Sequence, residues 1–292
     1  MPVEVPTVTR QDIAGVLREV GVEPGDVVMV HSSLKSFGHV EGGAEAVVDA
    51  LLDAVGGEGT VIVPTLSATY VRGTASGLAW NPRTTPSRVG LVTETLRRRP
   101  EARRSGHPTH SVAAIGARAE EMVSGHWPGS TFDIRGPYGK YVRAGAKLLF
   151  LGVYPTCNTT LHAVEDWLDL PYLEEAEVLV EEPDGSVGRR TVTKAPLGHR
   201  DFYSRSGRIH RYLEEAGLVR LVRLNGTEIR MMPAREVVGL VALKEVEEPG
   251  VLLCRRPECD FCRRGLAGIM ERRDAIREAA ERLLDEGYAV RP

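Results

Sequence analysis

Short, continuously apolar runs alternate along this chain with longer segments in which apolar residues recur at helical spacing. The apolar runs lie at 26–30, 60–63, 112–115 and 147–153, and the helical pattern occupies 10–19, 44–55, 88–98 and 117–123. Strands that are apolar on both sides are typical of sheets covered by helices on both faces. The pattern therefore predicts an α/β fold, a three-layer α/β/α arrangement around a central mixed β-sheet.

The character of the sequence changes after Pro171. Apolar residues at 178–180 and 187–192 flank the turn signal Pro183-Asp184-Gly185, which predicts a hairpin that adds antiparallel strands. Further helices are expected at 209–216 and 274–286. We predict a main domain over residues 1–245 and an extension over 246–292 that packs on the same domain.

Two of the predicted strands end in small hydroxyl residues. The first strand leads into Ser32, Ser33 and Leu34, followed by Gly42-Gly43, and the second ends at Thr65. Backbone N–H groups in such a turn can approach a phosphate closely. The sequence lacks the P-loop lysine pattern and the G-x-G-x-x-G spacing, which argues against a nucleotide triphosphatase and a Rossmann dinucleotide site.

A basic segment precedes the strand at 112–115 and contains Arg104, His107 and Ser111. Arginine can hold phosphate through charge-assisted hydrogen bonds. The alternative is a solvated helix terminus, since residues 97–99 are also arginines. His107 precedes a proline, which favours extended backbone, and it serves equally well as a structural loop histidine.

His162 and Glu165 follow the apolar strand at 147–153, in which Gly152 lies near the end. Their spacing places both side chains on one face of a helix that begins near Asn158. An imidazole oriented by an acid at the carboxyl edge of a sheet is suited to act as a general base. The alternative is a partly buried histidine whose glutamate forms a surface salt bridge.

These segments, taken in order, resemble the aminoglycoside 3-N-acetyltransferase family, whose members use acyl-coenzyme A to modify an amino group of aminocyclitol antibiotics. The resemblance extends to about Gly239. It rests on His31-Ser-Ser-Leu with Gly42-Gly43, the strand from Gly59-Thr60 to Pro64-Thr65, Arg104-Ser105-x-His107-Pro108-x-x-Ser111, Gly136-Pro-Tyr-Gly-Lys140, Leu151-Gly-Val153 with Asn158-Thr-x-Leu-His162-x-x-Glu165, and Asp201-Phe202.

The resemblance implies that residues 1–245 form an acyl-CoA-dependent N-acetyltransferase domain. It implies direct transfer of an acetyl group from acetyl-CoA to a small-molecule amine, the 3-amino group of an aminoglycoside, with His162 as general base and Glu165 or Asp201 orienting it. The residues expected to meet coenzyme A are Ser32, Ser33, Leu34, Thr65, Arg104, His107, Ser111 and Gly152.

Two other functions stay open at this point. One is an N-acyltransferase of the same fold that uses a different endogenous amine or another acyl group, such as malonyl. The other is a non-catalytic zinc-binding interaction protein, although the joint presence of His162, Glu165, His107 and Asp201 argues against loss of catalysis. Cys157 also offers a covalent cysteine–histidine route, which is disfavoured because it lies only five residues before its base.

Three cysteines cluster near the C-terminus with the spacing C-x4-C-x2-C, namely Cys254, Cys259 and Cys262. In a reducing compartment such a cluster more often binds metal than forms disulfides. A structural zinc ion normally has four ligands. The fourth would come from Cys157, His199, His210 or a partner chain, and the alternative is a set of unpaired surface thiols.

Composition narrows the function only weakly. The formal net charge of −3 argues against a general nucleic-acid binder, and it allows an acidic pocket for a cationic amine. No early apolar leader and no membrane-length apolar run occurs, which predicts a cytoplasmic protein with no membrane partner. A homodimer is compatible with the sequence, which does not specify the oligomeric state.

Overall fold

A seven-stranded mixed sheet forms the centre of the protein in the computed structural model, which describes residues 7–67, 79–126, 131–194 and 200–290. The strands are β1 (Val27–Ser32), β2 (Thr60–Pro64), β3 (Arg103–Arg104), β4 (Val112–Gly116), β5 (Lys147–Leu151), β6 (Glu174–Glu181), β7 (Val187–Lys194), β8 (Arg220–Leu224) and β9 (Thr227–Pro233). The sheet order is β3-β4-β2-β1-β5-β9-β8. Strands β2, β1 and β5 are parallel, and β4 and β9 run antiparallel to their inner neighbours.

Ten α-helices occur in the described part of the chain. They are α1 (Arg10–Val20), α2 (Gly43–Val55), α3 (Leu91–Arg98), α4 (Ala119–Val123), α5 (Pro137–Arg143), α6 (Thr160–Trp167), α7 (Arg208–Glu215), α8 (Ala234–Glu247), α9 (Asp260–Glu271) and α10 (Arg273–Asp285). The six helices whose extents were predicted from periodicity are all present, with shifts of up to three residues at their ends. Short 3₁₀ turns cover Leu34–Phe37, Pro155–Cys157 and Asp201–Tyr203.

The sheet separates two apolar cores, because successive residues of each strand point to opposite faces. Met29 and Phe150 pack with residues of α4 to α10 on one face. Val30 and Leu149, their neighbours in sequence, pack with residues of α1, α2 and α3 on the other. Burial on both faces explains why these strands read as continuous apolar runs, and it confirms the three-layer α/β/α prediction.

The predicted hairpin is present, but it does not extend the central sheet. β6 and β7 pair only with each other as a second sheet in the described chain, and Trp80 forms an isolated bridge to Val180. The hairpin carries only a few buried apolar positions, including Val178 and Val192. Most of its remaining positions are charged or exposed, so it lacks the two apolar faces that a central strand requires.

The strand topology gathers the polar segments predicted to be functional at one edge of the sheet. Parallel strands β1, β2 and β5 end there, and antiparallel β4 begins there, since Val112 pairs with Pro64. We call this the carboxyl edge. In open α/β sheets this edge is the usual place for ligands.

The C-terminal helices pack on the same core as the sheet. Ile269 of α9 and Leu283 of α10 belong to the cluster that contains Phe150. The backbone of Val290 lies so close to Gly239 of α8 that a Cβ there would fall 1.9 Å from the Val290 carbonyl oxygen. The predicted division after residue 245 falls in the last turn of α8 and stays a prediction.

Candidate active site

His162 and Glu165 form a hydrogen-bonded pair in α6, at the carboxyl edge. The helix begins where the Asn158 side chain accepts a hydrogen bond from the Thr160 backbone N–H, at 3.1 Å. The i,i+3 spacing then brings His162 Nδ1 to 2.7 Å from Glu165 Oε2. Glu165 is fully buried, so it is not the surface partner of the alternative interpretation.

Two residues outside α6 hold the second oxygen of Glu165. Oε1 accepts a hydrogen bond from Arg200 Nε at 2.5 Å and from Tyr172 Oη at 3.0 Å. The Arg200 guanidinium lies over the rings of Tyr172 and Phe261, 4.6 and 5.1 Å from their centroids. Burial opposes ionisation of Glu165, but attraction to His162 and Arg200 outweighs it, and the Glu165 pKa lies below its ordinary value.

These contacts determine which nitrogen of His162 can accept a proton. Because Glu165 is a carboxylate, Nδ1 carries the hydrogen and donates it, which leaves the lone pair on Nε2. Tyr203 Oη lies 2.9 Å from Nε2 and is placed to donate to it. Tyr203 is 42% exposed, so Nε2 faces the outside of the molecule through this residue. Phe202 packs edge-on against the imidazole.

The structure does not bring Asp201 to His162, which corrects one of the two predicted orienting acids. Its carboxylate lies 3.3 Å from Arg208 Nε and 3.4 Å from the Ile209 backbone N–H, at the start of α7. Glu165 alone of the two acids contacts the imidazole. Asp201 instead anchors the turn that carries Phe202 and Tyr203.

Three of the residues predicted to bind coenzyme A bind one another. Arg104 Nε donates to Ser111 Oγ at 3.1 Å, and Arg104 Nη2 donates to the Thr65 carbonyl at 3.0 Å. The Arg104 Nη1 group donates to the carbonyls of Pro82 and Thr85. Burial lowers the Arg104 pKa to about 10. Arg104 therefore joins β2, β3 and β4 at the carboxyl edge, and its contact with a phosphate stays a prediction.

His107 is fully buried and organises the loop before β4, which matches the structural alternative. Its Nδ1 accepts hydrogen bonds from the backbone N–H groups of Thr109 and His110, at 3.3 and 3.2 Å. Its ring stacks on His126 with centroids 4.7 Å apart. Burial lowers the His107 pKa, so the ring is neutral and acts here as an acceptor. No direct role in cofactor binding is needed to explain it.

The residues after β1 and β5 lie together at the carboxyl edge. The Ser33 backbone N–H donates to the Leu151 carbonyl at 2.9 Å, and Leu34 begins the 3₁₀ turn. Gly152 adopts a left-handed conformation with φ 67°, and a Cβ there would lie 2.5 Å from Ser36 Cβ. Close approach of Ser36, rather than of a thioester, is what the structure shows to require glycine at 152.

Three buried polar atoms in β1 and just before α6 have no hydrogen-bond partner within the described residues. They are His31 Nε2, Ser32 Oγ and Asn158 Nδ2. Buried polar groups in proteins are normally satisfied. Ser32 Oγ and Asn158 Nδ2 are therefore suited to contact a ligand.

A groove of about 520 Å³ opens beside Gly152, and its lining includes Tyr154, Arg205, Glu228 and Arg230. Glu228 pairs with Arg230 at 2.6 Å, which leaves Arg205 as the arginine of the groove without a carboxylate partner among the described residues. The guanidinium groups of Arg205 and Arg230 both lie over the Tyr154 ring, 5.1 and 4.8 Å from its centroid.

These two arginines were not predicted from the sequence, and neither were Arg200, Tyr172 and Tyr203. Only Arg200 and Tyr203 had a signal, since they flank the Asp201-Phe202 motif.

Cys157 does not contact His162. Its Sγ interacts with the Tyr154 carbonyl oxygen at 3.4 Å. The residue as a whole is exposed, but desolvation of its thiol raises the pKa to about 11, which disfavours the thiolate that a nucleophile requires. Since both nitrogens of His162 are engaged elsewhere, the arrangement does not form a cysteine–histidine pair.

Cys254, Cys259 and Cys262 come together as one cluster, with their three sulfur atoms within 4.8 Å of one another. Cys259 and Cys262 are buried, so the surface-thiol alternative is wrong for these two. Of the candidate fourth ligands, Cys157 and His210 are not in the cluster, and His210 Nε2 bonds to the Phe202 carbonyl. His199 lies outside the described residues. Zinc binding stays a prediction.

At the carboxyl edge of a mixed α/β sheet, a histidine is hydrogen-bonded to a buried carboxylate. This arrangement defines the general class of site, which is one equipped for proton transfer. The sequence model of the aminoglycoside 3-N-acetyltransferase family matches residues 29–243. The chain therefore belongs to this family.

Curated relatives carry the same family name. An aminoglycoside N(3)-acetyltransferase III of Salmonella sp is 38% identical over 177 residues, which cover 56% of this chain and 62% of the relative. Another of Serratia marcescens is 35% identical over 196 residues, covering 61% and 72%. The match thus spans less than two thirds of the Salmonella protein.

Solved structures share the fold. The aminoglycoside acetyltransferase AAC(3)-IVa apoenzyme matches with a TM-score of 0.78 and 26% identity, covering 90% of this chain and all of that one. A binary complex of AAC-IIIb with CoASH matches with a TM-score of 0.74 and 25% identity, covering 86% and 100%. Sisomicin-bound AAC-VIa matches with a TM-score of 0.73 and 25% identity, covering 84% and 100%. Within the described ranges, no helix has the length and apolar character needed to cross a membrane.

Proposed function

We propose that this protein transfers an acetyl group from acetyl-CoA to an amine, the 3-amino group of an aminoglycoside. Family membership supports this reaction class. The similar structures include one protein bound to CoASH and another bound to sisomicin. The observation that carries the proposal is the His162–Glu165 pair, because it presents one imidazole nitrogen as a proton acceptor.

The amine nitrogen attacks the thioester carbonyl carbon and forms the new C–N bond. The negative charge that develops on the carbonyl oxygen collapses to break the C–S bond, and coenzyme A leaves as a thiolate. His162 Nε2 takes the proton that the amine nitrogen loses as the C–N bond forms and delivers it to the departing thiolate, which is released as the thiol of coenzyme A. The buried carboxylate of Glu165 stabilises the imidazolium that exists between these steps.

Tyr203 marks where the amine binds. Its hydroxyl occupies the position 2.9 Å from Nε2 that the reacting nitrogen needs. An incoming amine therefore replaces this hydrogen bond, and because the tyrosine is partly exposed, it can turn outward into solvent.

The carboxyl edge provides the coenzyme A side of the site. Ser32 Oγ and Asn158 Nδ2 are polar atoms available to the amides of pantetheine. Arg205, in the groove beside Gly152, offers positive charge to phosphate groups. These features support a donor position across the ends of β1 and β5, close to α6.

A thiol-release assay with acetyl-CoA tests the proposal across a panel of amines that includes several aminoglycosides. We expect saturable release of coenzyme A with aminoglycosides, and mass spectrometry should find one added acetyl group on the 3-amino nitrogen. Malonyl-CoA and simple diamines form the comparison arms. Turnover only with those compounds would assign a different acyl or amine specificity, and no turnover with any pair would contradict the acyltransferase assignment.

A further inference from the structure

The cysteine cluster has the dimensions of a metal site. In tetrahedral thiolate coordination with Zn–S bonds of about 2.3 Å, sulfur atoms lie about 3.8 Å apart. The three sulfur atoms of Cys254, Cys259 and Cys262 all lie within 4.8 Å of one another before any ion draws them together. A single disulfide bond would use two of the three cysteines and would not account for the third sulfur atom in the cluster, whereas a metal ion binds all three.

The cluster lies at the start of a helix. Cys259 is the N-cap residue of α9 and Cys262 lies in its first turn, where backbone N–H groups and the helix dipole support the negative charge of metal-bound thiolates. The flanking arginines are mostly engaged elsewhere, since Arg255 pairs with Glu248 and both Arg263 and Arg264 pair with Asp260. The sulfur geometry, rather than the surrounding charge, therefore carries the case for a metal site.

The cluster also lies against the residues that support His162. Leu253, next to Cys254, forms a β-bridge with Arg200. Phe261, next to Cys262, covers the Arg200 guanidinium at 5.1 Å. Leu253 thus contacts the backbone of Arg200 and Phe261 contacts its side chain, and both residues adjoin cysteines of the cluster. Arg200 in turn donates a hydrogen bond to Glu165.

We propose that Cys254, Cys259 and Cys262 bind one thiophilic divalent cation of the zinc class, with solvent in the fourth position. Cys254 is partly exposed, which gives solvent access to the ion. The ion fixes Leu253 and Phe261 relative to each other and so positions Arg200, Glu165 and His162. This second step rests on the proposed function, whereas the metal site itself does not.

Metal content tests the site without reference to activity. Protein purified without added metal should hold about one zinc ion per chain, since structural zinc binds tightly at neutral pH. Replacing the zinc with cobalt should give thiolate-to-cobalt charge-transfer absorption. Cys254→Ser should lose the ion, and Cys157→Ser, a cysteine outside the cluster, should retain it. Metal-free protein of unchanged thermal stability, or zinc retained in Cys254→Ser, would overturn the site.

The link between zinc binding and catalysis can be tested in the wild-type protein, even if the cysteine variants fold poorly. A chelator removes the zinc, and zinc is then added back. Loss of zinc should lower kcat about tenfold to hundredfold with a smaller change in the KM for acetyl-CoA, and zinc should restore it. Phe261→Leu should lower kcat with zinc still bound. Unchanged kcat in the stripped enzyme would refute the coupling. Absent turnover in the zinc-loaded enzyme would refute the proposed function and leave the metal result standing.

Discussion

His162 has two hydrogen bonds of different character, and the difference fixes the direction in which a proton can move. On one side Glu165 holds Nδ1 from the protein interior, and on the other Tyr203 covers Nε2 from the surface. Only the second contact can be exchanged for a substrate. The imidazole therefore has one nitrogen, Nε2, that an incoming group can reach.

His162→Ala should reduce kcat by roughly 100- to 10,000-fold, the range typical of a lost general base. Binding of acetyl-CoA should stay near normal, because the donor contacts that we propose lie at β1 and β5. Steady-state kinetics and titration calorimetry measure the two quantities separately. His39→Ala, at an exposed histidine, is the matched control. A variant that retains most of the wild-type rate would show that another group takes the proton.

Glu165→Gln should destabilise the protein as well as slow it. The substitution leaves Arg200 buried without its carboxylate, and breaking a buried ion pair in this way typically costs about 3–5 kcal/mol. Urea unfolding at pH 7 measures the loss. Glu177→Gln removes the exposed pair with Arg189 and should cost under about 1 kcal/mol. Equal losses in the two variants would contradict the structural role assigned to Glu165.

Ser32→Ala tests the donor side of the site. If the buried Ser32 hydroxyl bonds to acetyl-CoA, its removal should raise the KM for acetyl-CoA about tenfold, the equivalent of one hydrogen bond of about 1.4 kcal/mol. Ser186→Ala, in the exposed turn of the β6–β7 hairpin, serves as the control. An unchanged KM would place the cofactor elsewhere.

At the scale of elements, predictability followed the continuity of the apolar pattern. Strands β1, β2 and β5 lie in the middle of the sheet, so their apolar runs were continuous and recognisable. Charged residues interrupt β8 at Arg220 and Arg223 and β9 at Glu228 and Arg230, so neither strand was predicted, although most of β9 is buried. The hairpin was recognised from its turn, but a turn does not reveal which sheet a strand joins.

The site was predictable only where its contacts are local. The i,i+3 spacing of His162 and Glu165 is by itself enough to indicate their contact, because residues three apart are neighbours on a helix. Arg200 and Tyr203 reach this pair through the tertiary fold, and no spacing in the sequence indicates that contact. The choice of Asp201 as an alternative orienting acid failed for the same reason, because its neighbour in the fold is Arg208.

Two glycines in helices should respond oppositely to the same substitution. A Cβ at Gly239 of α8 would collide with the Val290 backbone, so Gly239→Ala should cost about 1–3 kcal/mol. A Cβ at Gly15 of α1 meets nothing within 4 Å, so Gly15→Ala should stabilise by about 0.5–1 kcal/mol. Thermal and urea unfolding measure both changes. A neutral Gly239→Ala would show that the C-terminal segment is free to move away from α8.

For the whole molecule, buried histidines predict sensitivity to acid. Burial lowers the pKa of His31 to about 4, of His110 to about 3 and of His126 to about 4. The ordinary value is about 6.5, so between these limits the unfolded chain binds more protons than the folded one. The contribution of these three histidines to stability is therefore complete above about pH 6.5 and falls as the pH drops towards 4, by up to about 1.4 kcal/mol per pH unit for each histidine. Glu245 opposes this trend, because burial raises its pKa to about 7 and the folded state then binds its proton more tightly than the unfolded chain does.

Urea unfolding between pH 7.5 and 5 measures this dependence. As the pH is lowered, the free energy of unfolding should decline less steeply in His31→Leu than in the wild type. The difference should equal the contribution of one buried histidine. His39→Leu, at an exposed position, controls for the removal of an imidazole. An identical slope in His31→Leu and the wild type would contradict the assignment of acid sensitivity to this residue.

The covering of Arg200 by Phe261 has a consequence for how the protein is made. Phe261 lies 99 residues after His162 in the chain, so a ribosome releases His162 long before the ring that covers Arg200. A nascent or prematurely terminated chain then carries the Glu165–Arg200 pair without Phe261 over it. A chain that stops after residue 250 should lack turnover even where circular dichroism shows retained helix. Activity thus reports that synthesis has passed residue 261.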